Sequence, residues 1–118
     1  MHSLKENPAL GHITTFGGHP VSTAASLATL ETLLEENIID HVEKKALLFK
    51  SLLKHPIIKE IRNKGLLMGV EFESYDVLKR IIDKSLEIGI ITDWFLFCNN
   101  SMRIAPPLTI SEIEIREV

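Results

Sequence analysis

With 118 residues, the chain can bury one hydrophobic core but falls short of what two ordinary domains need. Hydrophobic residues at 45% and charged residues at 25% exclude a disordered chain, and a formal charge of −3 offers nothing to hold nucleic acid or an anionic membrane. A single cysteine, Cys98, cannot close an internal disulfide, which points to a reducing compartment with cytoplasm as the default.

Met1 to Leu10 lacks the basic start and apolar run of a signal peptide, and no segment approaches the roughly 20 apolar residues that span a bilayer. Leu4 to Pro20 is rich in Gly, Pro, Thr and His and reads as a loop. Pro20 suits the first turn of a helix, where its missing N–H costs nothing, and Val21 to Leu34 continues without a breaker until Asn37. Ala24, Ala25 and Ala28 let that helix pack close to a neighbour. From Ile38 to Leu53, Ile39, Val42, Ala46, Phe49 and Leu53 recur at steps of three and four, the stripe of a helix with one buried face. His55–Pro56 ends it, because the residue before proline is pushed out of helical geometry.

Gly65 to Phe72 is a short apolar run between glycines and reads as a buried strand. Ser74 caps a third helix, Tyr75 to Ile88, with Leu78, Ile81, Ile82 and Leu86 expected inside and Gly89 closing it. Ile90 to Thr92 and Trp94 to Phe97 are β-branched and aromatic and read as strand; Asn99–Asn100 is the turn signal, and Ser101 to Ala105 the returning strand. Ser111 with Glu114 forms a capping box for a last helix, which stops at Val118 after about two turns, as if the natural C-terminus lay further on. The sum is an α+β layer, helices against a small sheet.

Three stretches together carry a resemblance. Gly11-His12-Ile13-Thr14-Thr15-Phe16-Gly17-Gly18-His19-Pro20, running into an Ala-rich helix, is similar to the segment that follows the catalytic lysine in class III pyridoxal-phosphate-dependent aminotransferases. Arg62 to Glu71 resembles that family's first small-domain strand, and Met102-Arg103-Ile104-Ala105-Pro106-Pro107-Leu108 its C-terminal arginine motif. The resemblance implies the C-terminal portion of a fold-type I enzyme. Residues 1–37 would be the cofactor-phosphate loop and the helix connecting the domains, and residues 38–118 a truncated small domain with a mainly antiparallel sheet.

The family relation further implies that Thr15 hydrogen-bonds the phosphate of the neighbouring subunit's pyridoxal 5'-phosphate in a homodimer, and that Arg103 holds the substrate α-carboxylate in a forked contact. Read without it, Thr14 and Thr15 only structure a turn and Arg103 is a surface charge. His12 and His19 have no acidic or thiol partners at ligand spacing, so no metal site is expected; His19 stands where many family members carry asparagine. Cys98 has no base beside it, and Trp94, Phe95 and Phe97 read as core or interface.

The Schiff-base lysine of the family lies upstream of the threonine loop, and no lysine here matches it. The expected function is therefore that of a fragment, inactive alone, of an enzyme moving an amino group between an amino acid or ω-amino donor and a 2-oxo acid. Ornithine-like, acetylornithine-like and 4-aminobutyrate-like donors all stay open. The competing readings are a non-enzymatic module that binds small carboxylates through Arg103, and a truncated remnant without a ligand.

Overall fold

The structure, a computed structural model, describes residues 15–118. They fall into two compact units, one ending at Glu36 and the other running from Asn37 to Val118. Gly11, His12 and Thr14 lie outside the described residues.

Among its described residues the first unit holds one helix, α1 (Pro20–Glu35), with proline at its first turn as expected. Its hydroxyls turn inward on the helix itself: Thr23, Ser26, Thr29 and Thr32 each donate to the carbonyl four residues back. Glu36 N–H closes on the Thr32 carbonyl, and Asn37, at a left-handed φ of 51°, breaks the helical path. No residue of α1 is buried, and Val21, Leu27, Leu30 and Leu34 are all more than half exposed.

In the second unit, a 3-10 turn (Ile38–His41) leads into α2 (Val42–Leu52). That tighter turn shifts the expected stripe, because three residues per turn bring a different side chain inward. Ile38 is buried and Ile39 is 60% exposed, while Ala46 and Phe49 keep their expected places inside. The chain leaves the helix at Leu53, ahead of Pro56.

A strand missed from the residues follows. β1 (Glu60–Lys64) pairs antiparallel with β2 (Leu67–Glu71), so the run from Arg62 to Glu71 is a hairpin and not one strand. The charged sequence Glu-Ile-Arg-Asn-Lys has weak β-propensity and folds as an edge strand through its partner. α3 (Tyr75–Glu87) starts where Ser74 accepts the Val77 N–H, and Gly89 ends it at φ +86°. Leu78 and Ile82 are buried there, but Leu86 is 52% exposed.

Ile90 to Thr92 is not a strand. β3 (Asp93–Phe95) and β4 (Cys98–Ile104) are joined through Leu96–Phe97, so the turn falls three residues before the Asn99–Asn100 signal. Asn100 instead serves the sheet: its side-chain amide donates to the Phe72 carbonyl at 3.1 Å and its own carbonyl accepts the Phe72 N–H at 2.9 Å. A register shift between Trp94 and Phe95 absorbs the extra residues of β4. α4 (Glu112–Glu117) opens with the expected Ser111–Glu114 capping box.

The sheet is four-stranded and antiparallel, in the order β1-β2-β4-β3. Met68 packs with Ala46, Phe49, Leu66 and Ile115, and Val70 with Phe72, Leu78 and Ile82. Strand side chains alternate. While Met68, Val70, Met102 and Ile104 face the helices, Arg62, Gly69, Glu71, Ser101 and Arg103 share the opposite face.

Candidate functional site

Arg103 lies near the end of β4, paired directly with Gly69 on β2 and with Asp93 on β3. Its backbone is held by the Thr92 hydroxyl, which donates to the Arg103 carbonyl at 2.8 Å. The side chain is half exposed, and its nearest carboxylate is Asp93 Oδ2, 3.9 Å from Nη2. At that distance the two attract without a hydrogen bond. Asp93 spends its other oxygen, Oδ1, on the Trp94 N–H at 2.8 Å. The guanidinium of Arg103 thus makes no side-chain hydrogen bond among the described residues and keeps its fork of donors for a planar anion.

Arg62, on the same face, is in the opposite state. Its Nη1 bridges the carboxylates of Glu60 and Glu71, the latter at 2.6 Å, and its Nη2 donates to the Ser101 hydroxyl at 3.3 Å. The hydrogen bond it donates to Glu71 first, then the one it donates to Glu60, raises its pKa further above an already high value. Of the two arginines, Arg103 is the one whose charge is not offset by a hydrogen-bonded carboxylate. Both line an open cavity of about 590 Å3 with Gly69, Phe95, Leu96 and Phe97. A second cavity, about 470 Å3, is bordered by Phe49, Leu53, Ile81 and Ile115 and is mainly apolar, and Arg103 lines this one as well.

Thr15 lies in the other unit, in the turn before α1, exposed and bordering an open concavity of about 650 Å3 with Gly17, Gly18, Ser22 and Ser26. Gly18 sits at φ +75° with nothing within 4 Å of where a Cβ would stand, so the backbone there is open to approach. The Thr23 and Ser26 hydroxyls are committed to helix carbonyls. Neutral hydroxyls and backbone N–H groups at the start of a 16-residue helix suit a phosphate. They do not suit covalent attachment of a cofactor, since the described residues of this unit include no lysine. The donor set therefore fits the phosphate end of pyridoxal phosphate and leaves its ring to residues elsewhere.

The remaining candidates settle into structural places. His19 precedes α1 without a side-chain cap, and its carbonyl accepts from both the backbone and the hydroxyl of Thr23. Among the described residues no group of three or more His, Cys, Asp or Glu could hold a metal, and no helix is long and apolar enough to cross a membrane. Cys98 begins β4 rather than occupying a turn, half-buried, with Sγ 3.3 Å from Asn100 Oδ1. Trp94 packs edge-on against Tyr75 at 5.6 Å, but Phe97 is 97% exposed and belongs to no core. Asp93 and Gly69 were not singled out from sequence, because only the strand register brings them beside Arg103.

The sequence profile of the family Aminotransferase class-III matches residues 2–118. Acetylornithine aminotransferase of Caldanaerobacter subterraneus is 37% identical over 111 residues, which are 90% of this chain and 28% of that protein. Ornithine aminotransferase 1 of Staphylococcus aureus is 36% identical over 114 residues, 91% of this chain and 27% of that protein. Among solved structures, an aminotransferase of Bacillus anthracis superimposes with a TM-score of 0.76 at 31% identity, over 99% of this chain and 31% of that one. An ornithine aminotransferase of Toxoplasma gondii gives 0.73 at 33% identity, over 92% of this chain and 27% of that one. This chain spans between a quarter and a third of the length of these relatives. The one-sided helical layer on a small antiparallel sheet is the small-domain architecture of fold-type I enzymes, and the chain belongs to the class III aminotransferase family.

Proposed function

We propose that this chain supplies the carboxylate-binding arginine and a phosphate-binding threonine of a pyridoxal-phosphate-dependent aminotransferase, working with a lysine-bearing large domain of the same family. The observation that carries the reading is the contrast between the two arginines of the open sheet face. The charge of Arg62 is offset by two carboxylates that both bind its Nη1, whereas Arg103 meets one carboxylate only at 3.9 Å. Arg103 binds the α-carboxylate of the amino donor and of the 2-oxo acid acceptor in a forked contact. Thr15, with the backbone that leads into α1, hydrogen-bonds the phosphate of the cofactor held by the neighbouring subunit of a homodimer. When bound, the cofactor supplies the electron sink through which the amino group passes. By itself the chain is inactive in transamination.

In the holoenzyme, Arg103→Gln removes two charge-assisted hydrogen bonds, a loss of about 3 kcal/mol or roughly 100-fold in kcat/KM for the 2-oxo acid. Arg103→Lys recovers part of it, because a point charge replaces the fork. An unchanged KM for the oxo acid in both variants refutes the assignment. A second reading is favoured by the fact that the Arg103 face is built entirely within Asn37–Val118: the chain alone binds small carboxylates without a cofactor. Calorimetry separates the two, since the aminotransferase reading expects weak or no binding of oxo acids by the chain alone.

A further inference from the structure

One row across the sheet sets Arg62, Gly69, Arg103 and Asp93 side by side on β1, β2, β4 and β3. Gly69 therefore stands between two arginines, and it is buried although it lies on the face away from the helices. What covers it is the ring of Phe95: a Cβ at position 69 would stand 3.1 Å from the ring's Cε2 and 3.9 Å from its Cδ2 and Cζ. Phe95 follows Trp94, the partner of Met102, so the ring crosses β4 on the Ser101 side of Arg103 before it reaches the glycine. That path runs between Arg103 and Glu71. Because Glu71 pairs with Ser101, it is the diagonal neighbour of Arg103 across β2 and β4, about 7–8 Å away, a span that long side chains can close. The cavity beside the ring is lined by Arg62, Lys64 and Arg103 and by no aspartate or glutamate.

We propose that Phe95 is a positioning residue for Arg103: its ring, seated on Gly69, separates the guanidinium from Glu71 and so keeps the charge of Arg103 available to a carboxylate ligand. The role rests on the assignment of Arg103 to a substrate carboxylate. Glu71 is the internal competitor for that ligand. It accepts from Arg62 Nη1 at 2.6 Å, and a carboxylate has lone pairs left for a second guanidinium. Without the ring, an exposed Arg103–Glu71 pair would be populated about two- to fivefold over its open form, which raises KM for a carboxylate substrate about three- to sixfold. The same geometry accounts for glycine at position 69, since even a methyl group there would press on the ring.

On the chain alone, urea unfolding of Arg103→Gln, Glu71→Gln and the double variant measures the coupling between the two charges. No coupling is expected with Phe95 in place. In a Phe95→Leu background, whose side chain keeps most of the volume but has no ε or ζ atoms to lie over Gly69, the coupling should reach about two- to fivefold in the folding constant. In the holoenzyme, with pyruvate and with 2-oxoglutarate as probes, Phe95→Leu should raise KM about three- to sixfold at unchanged kcat, and Phe95→Tyr should leave it unmoved. Placed on a Glu71→Gln background, Phe95→Leu should no longer change KM. A merely structural role for the ring gives the same loss whether or not Glu71 carries its charge, which overturns the proposal. Absence of Arg103–Glu71 coupling in the Phe95→Leu chain overturns it as well. Coupling in the chain with an unmoved KM sinks the assignment of Arg103 to the substrate and leaves the separation from Glu71 standing.

Discussion

Gly65 is the position where one added methyl group should do most harm. It occupies the two-residue turn between β1 and β2 at φ +54°, and a Cβ there would stand 2.7 Å from Val42 Cγ1. The left-handed backbone costs a non-glycine residue about 1–2 kcal/mol. Forcing α2 and the hairpin apart to clear Val42 costs about 1–3 kcal/mol more. Gly65→Ala should therefore lose about 2–5 kcal/mol in urea unfolding at an unchanged m value. Gly89 provides the matched control, since it has φ +86° with nothing within 4 Å of its Cβ position, and Gly89→Ala should lose only the backbone part, about 1–2 kcal/mol. Val42→Ala removes the obstructing methyl. The double variant Gly65→Ala/Val42→Ala should then be more stable than the sum of the two losses predicts, by about 1–3 kcal/mol. Equal losses at positions 65 and 89, or strict additivity in the double variant, would refute the steric argument.

Thr15→Val removes one hydroxyl facing the concavity before α1 and should weaken cofactor retention in the holoenzyme by about tenfold, the worth of one hydrogen bond to a charged group; equilibrium dialysis against the cofactor measures it. The apolar residues of α1, exposed from Val21 to Leu34, should make the chain self-associate at micromolar concentration, with Leu27→Glu shifting light scattering toward monomer. The acid side of stability should be governed by the start of α4. Hydrogen bonds from the backbone and then the hydroxyl of Ser111 hold the Glu114 carboxyl below its ordinary 4.5, and a hydrogen bond from Lys44 does the same for Glu112. A carboxyl with a lowered folded pKa stabilises fully above its unfolded value, and that contribution fades as pH falls through the folded one. Unfolding free energy should thus decline as pH drops below 4.5, and Glu114→Gln should shallow the slope.

Helices were legible wherever a local signal set both period and ends. Pro20 with Asn37, Ser74 with Gly89, and Ser111 with Glu114 marked three of them closely, since capping depends on residues within a turn of each other. The strands were less so. β1 has only Ile61 as an apolar residue, and its pairing is decided by β2 across the Gly65 turn rather than by its own composition. Asn99–Asn100 carries a turn composition, but the bonds between Asn100 and Phe72 pull that segment into β4 and move the turn to Leu96–Phe97, two residues with no turn chemistry. No local rule ranks that tertiary bond above propensity.

The same register decides what surrounds Arg103. Alternation along Met102-Arg103-Ile104 is enough to set the arginine on the face opposite its apolar neighbours. Its company is not a property of that segment. Asp93 and Gly69 become its neighbours only because β3 and β2 pair with β4 in one register, and a slip of one residue in β4 would turn Arg103 into the helices and Met102 out. The two bonds between Asn100 and Phe72 pin that register from one end of the β2–β4 pair, three residues before the arginine. Asn100 is not among the residues that line the cavity of about 590 Å3 around Arg103, yet the geometry of that cavity depends on it, through a misleading turn signal that in the folded chain is a sheet anchor.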